Sequence, residues 1–321
     1  MTQIRKKHEL DQCALYKCKS KRKLAYYLKI DYEKLKTISN ITLYHSFSLQ
    51  KNDGDPRLIT APKAELKKLQ KRILRLLEKV KRPDYLISGE KGKSYLNNAL
   101  THQHSDYFLT IDIRKFYDNC KREYVYNFFI KMLQTSKDVA CILTDIITFD
   151  NKIPTGCPTS QMLAYYAYFD MFTELKEISQ RFNSIFTLYV DDMTFSSKTS
   201  FNPKALANEV DIVLRKYGHR PKYKKVKYFS KEDFKLVTGV VITKEHALTV
   251  PNRLREKIYT GSMAEKERLY TYNPREISKR IKKLRSIKGQ VQAAKNIQKT
   301  IFPEIDRLID DKLLDISSHT R

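Results

Sequence analysis

Two adjacent acids, Asp191-Asp192, stand between short β-forming runs at residues 185–190 and 193–197. An Asp pair at a turn has an ordinary explanation, because aspartate is a favoured turn residue. Here Tyr189 and Val190 lead in and Met193-Thr194-Phe195 lead out, which puts both carboxylates at the tip of a hairpin with apolar flanks. Carboxylates held that close repel each other. A divalent cation relieves the repulsion, and hard oxygen donors suit Mg²⁺. A third acid, Asp112, lies on the polar side of an alternating segment whose other side carries Leu109, Ile111 and Ile113. Set beside the hairpin in one antiparallel sheet, Asp112 and Asp191 would converge on one face. Carboxylates from separate strands, joined by substrate phosphates, frame a two-metal phosphoryl-transfer site.

Those acids need elements to position them. Residues 43–50 read as a strand, Lys51-Asn52-Asp53-Gly54-Asp55 as a turn, and Arg57-Leu58-Ile59-Thr60 as the returning strand. Pro62 opens a helix in which Leu66, Leu69, Ile73, Leu77 and Val80 recur at helical spacing, while Lys67, Lys68, Lys71, Arg72 and Arg75 take the outside. Solvation and phosphate contact explain that cationic face equally well. Helical patterns follow at 121–134 and 137–148. Pro154-Thr155-Gly156-Cys157-Pro158 is a loop ahead of a long helix rich in Tyr and Ala. A helix is expected over 203–217, strands over 236–243 and 248–250, and basic helices from 252 onward. Residues 1–40 read as short basic helices.

The bulk numbers bound the partners. A chain of 321 residues accommodates one large unit or two to three subdomains with a real core. With 41% hydrophobic residues and only 8 Gly, it reads as continuously folded. Lys and Arg total 62 against 36 Asp and Glu, a formal charge of +26, interleaved with 21 Tyr and 15 Phe. Cations meet phosphates and rings stack on bases, so nucleic acid is the favoured partner. A ribosome-like or merely soluble basic protein has the same composition. No run of 18 apolar residues exists, so no transmembrane helix is expected, and the Lys- and Arg-studded first 23 residues lack the apolar core of a leader. We expect a cytoplasmic location. The five cysteines (Cys13, Cys18, Cys120, Cys141, Cys157) are odd in number and lack paired zinc spacing, so reduced thiols and no structural metal are expected.

The order of the motifs narrows the class. Phe108-Leu109-Thr110-Ile111-Asp112-Ile113-Arg114-Lys115-Phe116-Tyr117, then Ile153-Pro154-Thr155-Gly156-Cys157-Pro158-Thr159-Ser160, then Tyr189-Val190-Asp191-Asp192 resemble, in order and spacing, the palm of reverse transcriptases. Asn98-Ala99-Leu100-Thr101-His102 resembles the Asn-Ala-x-x-His signature of the retron type, and Val237-Thr238-Gly239 its Val-Thr-Gly signature. The resemblance covers residues 43 to 250 and extends more weakly to Gly289. It implies an α+β right-hand polymerase: an N-terminal basic helical segment over 1–40, fingers and an antiparallel palm sheet over 41–250, and a basic helical thumb over 251–321.

The resemblance also implies roles. Asp112, Asp191 and Asp192 would be the catalytic and metal-binding carboxylates for two Mg²⁺ ions, with Asp192 supporting the primer end. Tyr117 matches a bulky ring beneath the sugar that excludes a ribose 2′-hydroxyl, although Tyr117 and Phe116 compete for a core role. Arg57 would clamp the incoming triphosphate. Thr155 and Gly156 would form the nucleotide loop. Lys225 would protonate pyrophosphate, with Lys222, Lys224 and Lys227 as chemically equal neighbours. Asn98, His102, Val237, Thr238 and Gly239 would hold RNA or its DNA product. Arg253, Arg255, Lys279, Arg280 and Lys283, in a dense C-terminal cluster, would grip duplex RNA through phosphate and shape. Three positions depart from the family: Thr155 stands where Gln is usual, Val190 where Ala or Met is usual, and Gln161 where Pro is common. The implied partners are a structured non-coding RNA, dNTPs and a separate effector protein of an anti-phage system, with no membrane. Two other readings remain open: a non-catalytic RNA-binding scaffold, and another stand-alone reverse transcriptase of the group II or diversity-generating kind.

Overall fold

The computed structural model describes residues 7–38, 43–50, 56–266 and 273–318, so the turn expected at 51–55 lies outside the described residues. In chain order the helices are α1 (Lys21–Leu28), α2 (Tyr32–Thr37), α3 (Ala64–Leu77), α4 (Tyr95–His102), α5 (Phe116–Asn119), α6 (Arg122–Asn127), α7 (Lys137–Ile147), α8 (Ser160–Ala167), α9 (Phe169–Arg181), α10 (Pro203–Lys216), α11 (Asn252–Lys266), α12 (Pro274–Ile297) and α13 (Pro303–Ser318). The strands are β1 (Tyr44–Leu49), β2 (Arg57–Pro62), β3 (Tyr107–Asp112), β4 (Ile185–Tyr189), β5 (Asp192–Ser197), β6 (Lys227–Phe229), β7 (Lys235–Val237), β8 (Val240–Ile242) and β9 (Leu248–Thr249). They form a two-stranded ribbon β1-β2, a four-stranded sheet ordered β4-β5-β3-β6 and a three-stranded sheet β7-β8-β9. The mixture of helices and sheets is α+β. No helix among the described residues is long and apolar enough to cross a membrane. All five cysteines are free thiols.

The chain divides into two compact units. The first comprises Met1–Gly92, Thr110–Phe195 and Asn202–Val226. Its short N-terminal helices start where a side chain can satisfy a free amide: Ser20 accepts from Lys23 at α1, and Asp31 from Glu33 and Lys34 at α2. Helix α3 buries Leu66, Leu69, Ile73, Leu76 and Leu77 and leaves Lys67, Lys68, Lys71 and Arg75 outside. However, Pro62 ends β2 and does not open the helix, Val80 lies past its end, and Arg72 is half-buried with its Nε donating to the Tyr27 carbonyl at 2.7 Å. The helical pattern at 121–134 resolves into α6 and a π-helical turn, Phe128–Met132, whose wider winding buries Phe128 and Phe129 together. The single long helix expected after residue 158 is instead two, α8 and α9, broken at Tyr168. The Tyr168 backbone leaves the helical region there, with φ of −113° and ψ of 28°, and its hydroxyl ties the pair to a neighbouring segment. The hydroxyl accepts from the Lys121 amide at 3.1 Å and donates to the Asn119 carbonyl at 2.9 Å, which fixes the end of α5 from the middle of the helix pair.

The second unit comprises Lys93–Leu109, Ser196–Phe201 and Lys227–Arg321. A capping box between Ser94 and Asn97 starts α4. Its Ala99 packs with Phe108, Val237, Val240 and Ile242. The strand expected over 236–243 is in fact two, β7 and β8, reversed at Thr238-Gly239. Both turn residues have positive φ, 44° and 87°, the backbone of a two-residue type I′ hairpin, and glycine at the second position makes it accessible. The β-forming residues on either side, Leu236-Val237 and Val240-Val241-Ile242, read as one run and hid the reversal. Helices α11, α12 and α13 share a separate core of Ile258, Leu284, Ile287, Val291, Ala294, Ile309 and Ile316.

Inside that helical group the Glu265 carboxylate meets the Arg280 guanidinium at 3.0 Å, with both side chains almost wholly buried, and Lys283 reaches the other carboxylate oxygen at 3.1 Å. Removing one partner of such a pair strands the other charge away from water, at about 3–5 kcal/mol. We expect Glu265→Leu to lower the thermal midpoint markedly, whereas Glu265→Leu combined with Arg280→Met recovers most of the loss. Differential scanning calorimetry of the three proteins checks this.

Candidate active site

The three acids named by the sequence meet in the first unit. Asp112 ends β3, Asp191 occupies the β4–β5 turn and Asp192 begins β5. Backbone hydrogen bonds lock the ends together. The Ile113 amide donates to the Asp191 carbonyl at 3.0 Å, the Lys222 amide to the Asp112 carbonyl at 2.7 Å, and the Arg114 amide to the Arg220 carbonyl at 2.9 Å. The turn is strained. Val190 has φ of 62°, left-handed backbone that a β-branched residue rarely adopts, while Asp191 keeps negative φ. This is the type II′ pattern, in which glycine is preferred at the first position. The Val190 amide donates to Ser88 Oγ at 2.9 Å, which helps hold the pose. Strain of this kind costs roughly 1–3 kcal/mol and persists only where the surroundings enforce it.

The proximity shapes the charges. Burial first, then the Asp192 and Asp112 carboxylates, push Asp191 up to about 6. Burial and Asp112 raise Asp192 as well. The Lys225 ammonium sits 2.5 Å from Asp112 Oδ2, and that bond raises the lysine above its ordinary value. Three carboxylates therefore face one ammonium. This surplus of hard anionic oxygen is suited to Mg²⁺. Among the described residues no three acidic, imidazole or thiol groups gather closely enough to enclose an ion unaided. Mg²⁺ tolerates that, because it binds through one or two carboxylates and completes its shell with water and substrate phosphates.

Other expected residues belong to the same unit. Phe116 is buried against Tyr168, Phe172 and His219, so it is the core ring, and Tyr117 beside it stays partly open. The Gly156 amide donates to the Thr60 carbonyl at 2.9 Å, and a Cβ at Gly156 would stand 2.6 Å from that same oxygen. Only glycine lets the loop lie this close to β2. The Thr155 hydroxyl reaches the Leu58 carbonyl at 3.4 Å. Arg57 begins β2, in register with Leu49.

The remaining expectations fall in the second unit, and several need correction. Asn98, His102 and Val237 are fully buried and cannot touch nucleic acid as they stand. Asn98 Nδ2 instead donates to Thr238 Oγ1 at 3.2 Å, and His102 Nδ1 pairs with Ser196 Oγ at 2.7 Å. Burial holds the His102 imidazole neutral, its pKa pushed down to about 3. Thr238 is half-buried and Gly239 exposed at the hairpin tip. Arg280 is committed to Glu265, and Arg255 bonds the Val250 carbonyl, Thr249 and Gln298, so both serve the fold. Arg253, Lys279 and Lys283 are exposed, the last pairing with Glu265. Sequence reasoning missed Ser88 and Arg220, and named Lys222 only as a neighbour of Lys225. They act through the backbone or through one remote hydroxyl, and no local pattern marks either.

The linkage sign for Asp191 follows from its raised value. The folded protein holds this proton more tightly than the unfolded chain, so the stabilising contribution is complete below about pH 3.8 and is lost as pH rises through about 6. Metal-free protein should lose stability across that window. Asp191→Asn should flatten the loss and be more stable near neutrality, on the order of 2 kcal/mol. Denaturant melts of both proteins with a chelator, over a pH series, measure it.

Comparison with known proteins agrees with this geometry. Residues 49–242 match the family described as "Reverse transcriptase (RNA-dependent DNA polymerase)". The chain is 28% identical over 162 residues to the Retron Se72 reverse transcriptase of Salmonella heidelberg, covering 49% of this chain and 42% of that protein. It is 27% identical over 205 residues to the Retron Ec86 reverse transcriptase of Escherichia coli, covering 63% of this chain and 64% of that protein. It is 28% identical over 223 residues to the Retron Ec48 reverse transcriptase of Escherichia coli, covering 64% and 55%. The matched region thus spans less than two thirds of each of these relatives. With the family matched across more than half of its length and its carboxylates brought together at two strand ends, the chain belongs to the reverse transcriptase family, as a member of its retron type.

Proposed function

We propose that this protein is an RNA-directed DNA polymerase that copies a cognate structured non-coding RNA into single-stranded DNA joined to that RNA. The observation that carries the reading is the convergence of Asp112, Asp191 and Asp192, three acids from two strands and a turn, beside a single lysine. In this reading the β1–β2 ribbon with α3 serves as fingers, the four-stranded sheet as palm and α11 to α13 as thumb. Asp112 and Asp191 would hold two Mg²⁺ ions, which when bound lower the pKa of the primer hydroxyl and offset charge on the leaving pyrophosphate.

The chain's own residues then do the positioning. Asp192 supports the primer end. Arg57 and the Thr155–Gly156 loop hold the incoming triphosphate, and the loop's contact with β2 sets their spacing. Tyr117, the open ring of the Phe116-Tyr117 pair, lies under the sugar and excludes a 2′-hydroxyl. Lys225 sits on Asp112 until substrate draws it away, and it has protons to donate to pyrophosphate. The exposed Arg253, Lys279 and Lys283 face phosphates, and the Thr238-Gly239 tip offers backbone groups to RNA. The retron type implies a cytoplasmic system in which the RNA–DNA product restrains a separate effector protein during anti-phage defence.

Primer extension on an RNA template with Mg²⁺ and dNTPs tests the core of this. Asp112→Asn, and Asp191→Asn with Asp192→Asn, keep size and remove ligand charge. Each should cut synthesis at least about 100-fold, since even changes outside the metal's own ligands cost ~10–100-fold. RNA binding should persist. Undiminished synthesis refutes the site, and RNA binding by a wild type that makes no DNA turns the reading towards a scaffold. Sequencing the co-purified nucleic acid decides the product: RNA covalently joined to DNA supports the retron reaction. RNA affinity should also fall steeply with salt, and Lys279→Ala should reduce the slope by about 1 if that lysine meets a phosphate.

A further inference from the structure

The nucleotide side of the site depends on a ribbon that cannot hold its own pose. Among the described residues β1 and β2 pair only with each other, and most of β1 is exposed. A lone two-stranded hairpin is marginal in water. Among the groups that hold its root is one buried carboxamide, that of Gln70 on α3, which is 0% exposed. Gln70 Nε2 donates to the Tyr44 hydroxyl at 3.0 Å and to the Ile146 carbonyl at 2.9 Å. The Tyr44 hydroxyl donates to the same carbonyl at 3.1 Å, and its ring rests on Phe149 with centroids 4.8 Å apart. The first residue of β1, the last turn of α7 and the buried face of α3 therefore meet at one node.

The nucleotide loop joins the node from the other side. The Cys157 thiol lies against Tyr44, Gln70 and Ser160. Ser160 Oγ donates to the Pro154 carbonyl at 2.5 Å, and the Gly156 amide to Thr60 of β2 at 2.9 Å. Gln70 is also out of place by packing logic. Its companions on the buried side of α3 are Leu66, Leu69, Ile73, Leu76 and Leu77. Its Oε1 is buried without a hydrogen bond. A methionine would fill the same space without stranding an acceptor, so stability alone does not account for an amide here.

We propose that Gln70 is a positioning residue for the incoming nucleotide, setting the angle at which the β1–β2 ribbon meets the Thr155–Gly156 loop. The inference rests on the polymerase reading above. The ribbon carries Arg57 and the loop carries Thr155 and Gly156, whereas the carboxylates are held separately by β3 and the β4–β5 hairpin. Loss of the node loosens nucleotide binding before and during chemistry alike, and uniform binding of that kind appears in KM and not in kcat.

Steady-state primer extension at varied dNTP decides it, using the wild type, Gln70→Met, Tyr44→Phe and the double variant. Tyr44→Phe keeps the ring on Phe149 and removes only the hydroxyl. Each single change should raise KM for dNTP about five- to tenfold with kcat within about twofold, and RNA affinity should not move. The double variant should be little worse than the worse single, because both changes cut the same node. If Gln70→Met fails to fold, Tyr44→Phe still gives the answer. An active wild type whose KM is unmoved by either change refutes this inference alone. A wild type that extends no primer refutes the polymerase reading, and this inference with it.

Discussion

Mutual repulsion among Asp112, Asp191 and Asp192 is the interaction that the neighbouring elements exist to overcome. Left to themselves, three carboxylates in a half-buried site separate or take up protons. Burial first, and then the neighbouring Asp192 and Asp112 carboxylates, press Asp191 towards protonation, up to about 6. That pressure corresponds to a few kcal/mol. Against it stand Phe186, Leu188, Met193 and Phe195, all buried on the strands that flank the acidic turn. Each contributes about 1.5–3 kcal/mol of burial. Hydrophobic packing of the hairpin therefore outweighs the charge repulsion at its tip, and the backbone bonds from Ile113 and Lys222 decide where the tip points.

The carboxylates were legible in the sequence because each sits in a short pattern with its own logic: alternation around Asp112, and apolar flanks around Asp191-Asp192. The helix α3 was equally plain, since its apolar residues repeat at helical spacing. Less was visible where one side chain overrides a local pattern. Tyr168 leaves the helical backbone in an otherwise continuous helical run, and its hydroxyl serves a different segment. The Thr238-Gly239 reversal was hidden because valines three residues apart, Val237 and Val240, suit one strand or two. The bonds from Ser88, Arg220 and Gln70 join segments far apart in the chain, and no window of sequence contains both partners.

The two signature motifs prove to be one structural joint. Asn98 bonds Thr238, and Ala99 and Val237 share an apolar cluster, so Asn-Ala-x-x-His and Val-Thr-Gly are two halves of one contact in the second unit. The resemblance, not residue type, had suggested that His102 reaches nucleic acid. Its complete burial and its bond to Ser196 make it a neutral member of the interior, and the exposed part of this joint is the hairpin tip at Gly239.

The left-handed pose of Val190 bears on how this protein should age and fail. A β-branched side chain there leans on its surroundings at every moment, so the peptide has an easier conformation waiting whenever the hairpin relaxes. We expect the geometry between Asp191 and Asp192 to give on mild warming while the helices and the rest of the sheet are still intact. Inactivation should run ahead of melting, and a preparation that looks folded by its overall helix content can already be catalytically spent.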